Sequence, residues 1–232
     1  MTKNLDKEGL CSIVDNYQLF YVDLWGVVHN GISLHKEAIK ALKEITKRGK
    51  EYILLTNAPR PNNVVKNFLR KMGMDEDILQ HVFTSGEASL SYLKKNFMDK
   101  KFFHVGPPRD IDLFKDFEEM KSNQIENAEY IICTGLFEER EEDLKYYKEL
   151  FEKNLKKKMI CTNPDLIVDR GNKRELCAGS IAIIFEKMGG EVIYFGKPYP
   201  EVYNQSINNK GKRVLSIGDN LNTDIKGANL LN

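Results

Sequence analysis

Short apolar runs alternate with helical patterns along the chain, which predicts an α/β protein built on parallel sheets. Two further observations sharpen that fold class. The runs at 20–23, 52–56 and 82–85 are apolar without alternation, as in strands covered on both faces by crossover helices. Polar residues also cluster where several runs end, and open α/β sheets place their ligand sites at the carboxyl ends of strands.

The elements follow in order. Leu10, Ile13, Val14 and Tyr17 have helical spacing, so a leading helix is expected over Leu5–Tyr17. A strand at Phe20–Asp23 comes next. His35–Arg48 reads as a helix with Ala38, Ile39, Leu42 and Ile45 on one face and Gly49 as its stop. Tyr52–Thr56 is a second strand. Pro61 suits the first turn of a helix running to Met72, and Val82–Ser85 is a third strand. The β-α-β-α-β order to this point calls for right-handed crossovers.

The alternation then repeats. Gly86–Phe97 is a helix, Phe102–Val105 a strand, Ile111–Phe117 a short helix and Tyr130–Thr134 a strand. A helix over Glu139–Lys153, a strand at Met159–Thr162 and a helix over Leu176–Met188 follow. Val192–Gly196 is a strand, Pro198 and Pro200 open a helix through Ile207, and Val214–Asp219 is the last strand before a terminal helix. These are too many strands for one small sheet. Two α/β layers are expected, the second inserted within the first.

Composition narrows the class. The 232 residues are 41% hydrophobic and 30% charged, enough for one large domain or two small ones. Lys and Arg total 35 against 34 Asp and Glu, so bulk charge offers no attraction to nucleic acid or an anionic membrane. Cys11, Cys133, Cys161 and Cys177 form no C-x-x-C pair and read as reduced thiols. The charged first residues have no signal-peptide core, and no run approaches the ~20 apolar residues of a membrane span. A cytoplasmic protein is the expectation.

Chemistry concentrates at strand ends: Asp23, Thr56-Asn57, Gly196-Lys197-Pro198, and Gly218-Asp219-Asn220 with Asp224 beyond. In one parallel sheet these would converge on one edge. Carboxylates brought together there repel unless a cation lies between them, and a hard, oxygen-loving ion such as Mg²⁺ fits. Lys197 adds positive charge and Thr56 a donor, which suits a phosphate ester attacked by an aspartate. Taken singly, each residue has a plainer reading. Asp23 and Thr56-Asn57 fit turns, Lys197 a solvated loop, and Asp219-Asn220 a helix cap. Their order along the chain, each at a strand end, favours the joint site.

Asp23-Leu24-Trp25-Gly26-Val27, Leu54-Leu55-Thr56-Asn57, Gly196-Lys197-Pro198-Tyr199-Pro200 and Gly218-Asp219-Asn220-Leu221-Asn222-Thr223-Asp224 resemble the four motifs of the haloacid dehalogenase (HAD) superfamily. The last three resemble its class IIA, similar to N-acetylglucosamine-phosphate and pyridoxal-phosphate phosphatases. The resemblance implies a Rossmann-like core at 1–85 and 191–232 with an α/β cap domain inserted at 86–190. It implies Asp23 as nucleophile, Thr56 and Asn57 on the phosphoryl oxygens, and Lys197 neutralising both nucleophile and phosphate. It further implies Mg²⁺ bound by Asp23, Asp219 and the backbone carbonyl of Trp25, with Asp224 in the outer shell. Thr162-Asn163-Pro164-Asp165 resembles the family's cap loop, so Asn163 and Asp165 are expected near substrate; a simple Asx turn is the plainer alternative. Cys177-Ala178-Gly179-Ser180 is a small-residue helix start, facing substrate or merely close-packed. The implied partner is a small phosphorylated metabolite, and a homodimer is implied by resemblance alone.

Two departures stand out. The family pattern has a second aspartate two residues after the nucleophile, which protonates the leaving group and then activates water. Here that position is Trp25, whose indole has one N–H and no acid–base function near neutrality. Such catalysis is typically worth ~10²–10⁴-fold. Three readings remain: a phosphatase with His29 of the same loop as substitute acid–base, a phosphatase limited to esters whose leaving groups need no proton, or a phosphoryl-ligand sensor without turnover. Secondly, the chain stops at Asn232, soon after the fourth motif, where the family usually continues through another strand. The expectation is a core truncated at that end, with Val214–Ile217 left as a sheet edge or paired with another chain.

Overall fold

A computed structural model describes residues 8–170 and 173–230. The strands are β1 (Leu19–Val22), β2 (Glu51–Thr56), β3 (Val82–Thr84), β4 (Phe102–Val105), β5 (Tyr130–Cys133), β6 (Lys158–Cys161), β7 (Ile167–Arg170), β8 (Lys173–Leu176), β9 (Glu191–Tyr194) and β10 (Val214–Ile217). The helices are α1 (Lys36–Lys47), α2 (Asn62–Lys71), α3 (Glu76–Leu79), α4 (Ser85–Asn96), α5 (Leu144–Glu152), α6 (Ala178–Lys187), α7 (Pro200–Ser206) and α8 (Lys226–Leu230).

Two four-stranded parallel sheets result. The first has the order β10-β1-β2-β3 and the second β4-β5-β6-β9; β7 and β8 form a separate antiparallel hairpin. All strands of the second sheet and the hairpin fall in sequence between β3 and β10, so the second layer is inserted in the first. The architecture is a Rossmann-like α/β fold. One boundary needs correction. The sequence reading returns the chain to the first layer at 191, but Glu191–Tyr194 pairs with β6, so the return begins after Tyr194. Periodicity shows a strand and not its partner, which is why the sequence could not place it.

Strand alternation assigns each face. Leu19, Tyr21, Ile53 and Leu55 point into one apolar cluster, whereas Phe20, Val22, Tyr52 and Leu54 point into another with Leu42, Ile45 and Leu69 of α1 and α2. In the second sheet, Tyr130 and Ile132 join the first cluster, and Ile131 and Cys133 pack on α5 and α6 through Tyr147, Phe151, Ile181 and Phe185. The middle cluster therefore holds residues of both sheets together with Leu93, Phe195, Val202 and Tyr203. A shared apolar cluster of this kind resists separation of the layers, at roughly 25 cal/mol per Å² of apolar surface exposed.

Several elements differ from the sequence reading for local reasons. The expected leading helix is two 3-10 turns, Leu10–Ser12 and Val14–Asn16, and its part before residue 8 lies outside the described residues. The helix expected from Glu139 starts at Leu144, because the Asp143 side chain accepts the N–H of Tyr146 and caps it there. Ile111–Phe117 is not one helix but falls in two 3-10 segments, Pro108–Leu113 and Lys115–Met120. The terminal helix opens with a π turn, Leu221–Ile225, and its last two residues lie outside the described residues. The sequence reading missed α3 and the β7–β8 hairpin. The hairpin is short, charged and largely exposed, so it carries no apolar pattern. β10 lies at the sheet edge, with its four residues half-buried.

His104 of β4 is buried, with Nε2 2.8 Å from Thr134 Oγ1, and burial pushes its imidazole down to about 3. The unfolded chain binds that proton near pH 6.5, so between the two values unfolding takes up a proton and stability falls as pH drops. Replacing His104 with Gln should remove this component. Urea unfolding at pH 6.5 and pH 5 should show the loss on acidification reduced by about 2 kcal/mol relative to wild type.

Candidate active site

The carboxyl ends of β1, β2 and β10 and the turn after β9 meet around one buried ammonium. Asp23 directly follows β1, and its N–H donates to Ile217 O at 2.9 Å, tying it to β10. Lys197 Nζ donates to Asp23 Oδ1 at 2.5 Å, Asp224 Oδ1 at 2.7 Å and Leu55 O at 2.8 Å. All three donor positions are thus engaged. The Lys197 and Asp224 side chains are 4% and 2% exposed, too buried for water to screen the pair.

Asn57 sets the lysine's backbone. Its Oδ1 accepts the Lys197 N–H at 2.7 Å, and its Nδ2 donates to Lys197 O at 3.0 Å and to Asp165 Oδ1 at 2.9 Å. The last bond brings the loop after β6 to the end of β2. Ser85 reinforces the crossing, its Oγ donating to Thr162 O at 2.6 Å. Asn163 Oδ1 accepts the Asp165 N–H at 3.0 Å, so the Asx turn is present and holds Asp165 in place. Thr56 is buried beside Asn57, and its Oγ1 accepts the Ala58 N–H at 3.3 Å.

Asp219 lies beyond β10 and is the exposed acid of the group. Asp23, Asp219 and Asp224 each offer an oxygen within 4.8 Å of the others, a donor set that can hold a hard divalent cation. A Cβ on Gly26 would meet Asp219 Oδ2 at 2.0 Å, and its φ is +83°. Glycine is therefore required there, and the Trp25–Gly26 peptide is brought beside Asp219. Asp224 is fixed further by the Asn220 N–H, which donates to its Oδ2 at 3.2 Å, while Asn220 Oδ1 caps the π turn through the Asn222 N–H.

The electrostatics follow from this crowding. Burial pushes Asp23 up to about 6; Lys197 opposes the shift, and Asp224 and Asp219 add to it. Burial raises Asp219 and Asp165 as well, the latter partly offset by Asn57. For Lys197, burial works against the charge, but Asp23 and Asp224 outweigh it and hold the ammonium above its ordinary range. One ammonium facing these carboxylates leaves a negative excess, which fits a cation better than an empty polar pocket.

Trp25 and His29 take other places. The indole Nε1–H donates to Asp169 O in β7 at 3.1 Å. His29 is buried with its ring edge against Trp25 at 5.3 Å and against Phe68 at 5.8 Å, and its Nδ1 accepts the Gly31 N–H at 3.0 Å. Burial pushes its imidazole down to about 4. These contacts anchor the loop after β1. The sequence reading missed Leu55 O, Ser85 and Asp169 O as partners. Two are backbone carbonyls, and no side-chain pattern could have revealed them.

Residues 20–118 match the model of the haloacid dehalogenase-like hydrolases, and residues 194–232 match a HAD-hydrolase-like model. The chain is similar to a hydrolase of the haloacid dehalogenase-like family from Brucella suis, with 31% identity, 96% of this chain and 85% of that chain covered, and a TM-score of 0.84. It is also similar to a 4-nitrophenylphosphatase from Thermotoga maritima, with 28% identity, 94% and 84% covered, and a TM-score of 0.71. A glycerol phosphate phosphatase from Mycobacterium tuberculosis, solved in complex with magnesium, shares the fold at 22% identity, with 94% and 66% covered and a TM-score of 0.68. Comparison with curated proteins returns no match.

Substituting Lys197 with Met should be costly, because Asp23 and Asp224 lose their shared counter-charge. Breaking a buried pair by removing one partner typically costs ~3–5 kcal/mol. Urea unfolding of Lys197→Met at neutral pH should show a loss of that order. The loss should shrink as pH falls through about 6, where Asp23 takes up a proton.

Proposed function

The chain belongs to the haloacid dehalogenase-like hydrolases, class IIA, and on that footing we propose that it is a Mg²⁺-dependent phosphatase acting on a small phosphate ester through Asp23. The observation that carries the reading is the buried Lys197, paired with Asp23 and Asp224 where the strand ends meet. The similarity to a 4-nitrophenylphosphatase supports phosphate as the group transferred.

Each residue then has a task. Asp23 Oδ attacks phosphorus, the ester P–O bond breaks, and the leaving group departs with its electron pair. Water then attacks phosphorus and releases inorganic phosphate, restoring the Asp23 carboxylate. Lys197 keeps Asp23 ionised and offsets the phosphoryl charge. Thr56 and Asn57 hold phosphoryl oxygens. Asp23, Asp219 and the Trp25 carbonyl would hold Mg²⁺, with Asp224 in its outer shell, and the ion would supply charge neutralisation at the phosphoryl group. Asn163 and Asp165 would close on the substrate. The second sheet and the hairpin would be the cap, with the core at 1–85 and from the end of β9 onward.

Trp25 shapes the substrate range. At the position where the family carries its acid, this chain has an indole bonded to Asp169 O. Leaving groups that depart without a proton should be favoured. His29 lies in the same loop, but its burial, the Gly31 N–H on its Nδ1 and an imidazole pushed down to about 4 argue against it as a substitute acid–base; His29→Gln in the same assays tests this. The cysteines are all free, which supports a reducing, cytoplasmic setting. The absence of an acid at Trp25 also favours a second reading, a phosphoryl-ligand sensor without turnover.

The expected outcome with Mg²⁺ is hydrolysis of p-nitrophenyl phosphate well above that of glycerol 3-phosphate. Asp23→Asn should abolish both. Trp25→Asp should raise the alkyl ester rate by up to ~10²-fold if the missing acid limits it. No hydrolysis of either ester, with orthophosphate still raising the melting temperature, would replace the phosphatase by the sensor. Separately, Mg²⁺ should raise the wild-type melting temperature and fail to do so in Asp219→Asn.

A further inference from the structure

We infer that Trp25 is a positioning residue that clasps the β7–β8 hairpin onto the nucleophile loop and thereby limits the size of the leaving group admitted. The inference of selectivity rests on the phosphatase reading; the clasp itself does not.

The indole is seated rather than loose. A Cβ on Gly31 would meet Trp25 Cη2 at 2.6 Å, so the ring lies directly on the Gly31 backbone, where φ is +88°. Only glycine allows both that approach and that conformation. The His29 ring packs edge-on against the indole, and His29 in turn is fixed by the Gly31 N–H and by Phe68. A ring held this way presents its one N–H in a set direction, and there it meets Asp169 O at 3.1 Å.

The acceptor is equally constrained. Asp169 pairs with Arg174 across the hairpin, and the Arg174 guanidinium binds both Asp169 carboxylate oxygens at 2.9 and 3.3 Å. The side chain is therefore turned to Arg174 while the carbonyl accepts from the core. Gly26, next to Trp25, lies against Asp219, so the hairpin bonded to the indole is joined to the loop on the metal-binding side of the site. Segments 144 residues apart are thus joined beside the nucleophile by one hydrogen bond. The bond requires the hairpin in the position seen here. A bulky leaving group must share the space the indole and hairpin occupy, whereas a small one need not.

The chain has a single tryptophan, so its tryptophan fluorescence reports the surroundings of Trp25. The test compares wild type with Trp25→Phe, which keeps an aromatic ring and removes the donor. A net hydrogen bond is worth ~0.5–1.5 kcal/mol, so backbone amide exchange in 166–176 should rise ~2- to 10-fold in Trp25→Phe. The ratio of kcat/KM for 1-naphthyl phosphate over glycerol 3-phosphate should rise at least about threefold, mainly through KM. As a second route, Asp169→Ala combined with Arg174→Ala changes only exposed side chains. In that protein, acrylamide quenching of Trp25 should increase over wild type. Unchanged exchange in Trp25→Phe, or unchanged quenching in the double variant, would overturn the clasp. Raised exchange with an unchanged ratio would overturn the selectivity. Raised exchange in a protein that hydrolyses neither ester would uphold the clasp and reject the phosphatase.

Discussion

A single ammonium sits where strands from both ends of the chain converge, and most of the site depends on it. Lys197 reaches Asp23 after β1, Leu55 in β2 and Asp224 beyond β10, so one side chain ties together segments that are distant in sequence. Burial makes the arrangement demanding. A charged amine this deep is tolerated only with full pairing, and carboxylates this close are tolerated only with a cation among them. The same crowding pushes Asp23 upward and leaves the negative excess that suits a divalent ion.

The two layers are coupled in two ways. The apolar cluster containing Tyr21, Leu55, Phe102 and Tyr130 belongs to both sheets. Around it run polar crossings: Asn57 to Asp165, Ser85 to Thr162, Arg60 to the buried Asp110, and Trp25 to Asp169. The apolar cluster supplies most of the adhesion and has no direction. The polar bonds supply register, since each demands one geometry. Trp25 differs from the others in joining the nucleophile loop to a largely exposed hairpin.

Much of this was legible beforehand. Continuous apolar runs such as Tyr52–Leu55 announced buried parallel strands, and the polar residues that close β1, β2 and β10 marked the site. Asp23, Thr56, Asn57, Lys197, Asp219 and Asp224 do come together. Their individual environments were not legible. Whether Asn57 is a turn residue or a bridge depends on Asp165 and Lys197, more than a hundred positions away. The hairpin was invisible because charged, exposed strands lack the alternation that a buried face imposes.

Sequence by itself determined the fold class, the order of the buried strands and the longer helices, and the set of acids and the lysine at strand ends, because apolar period and strand-end position are local properties of the chain. Tertiary structure alone decided which sheet claims Glu191–Tyr194, which carboxylates share Lys197, and where the indole of Trp25 points. Those outcomes depend on partners brought together through space, and strand pairing, ion pairing and the direction of an N–H cannot be read from residues considered one neighbourhood at a time.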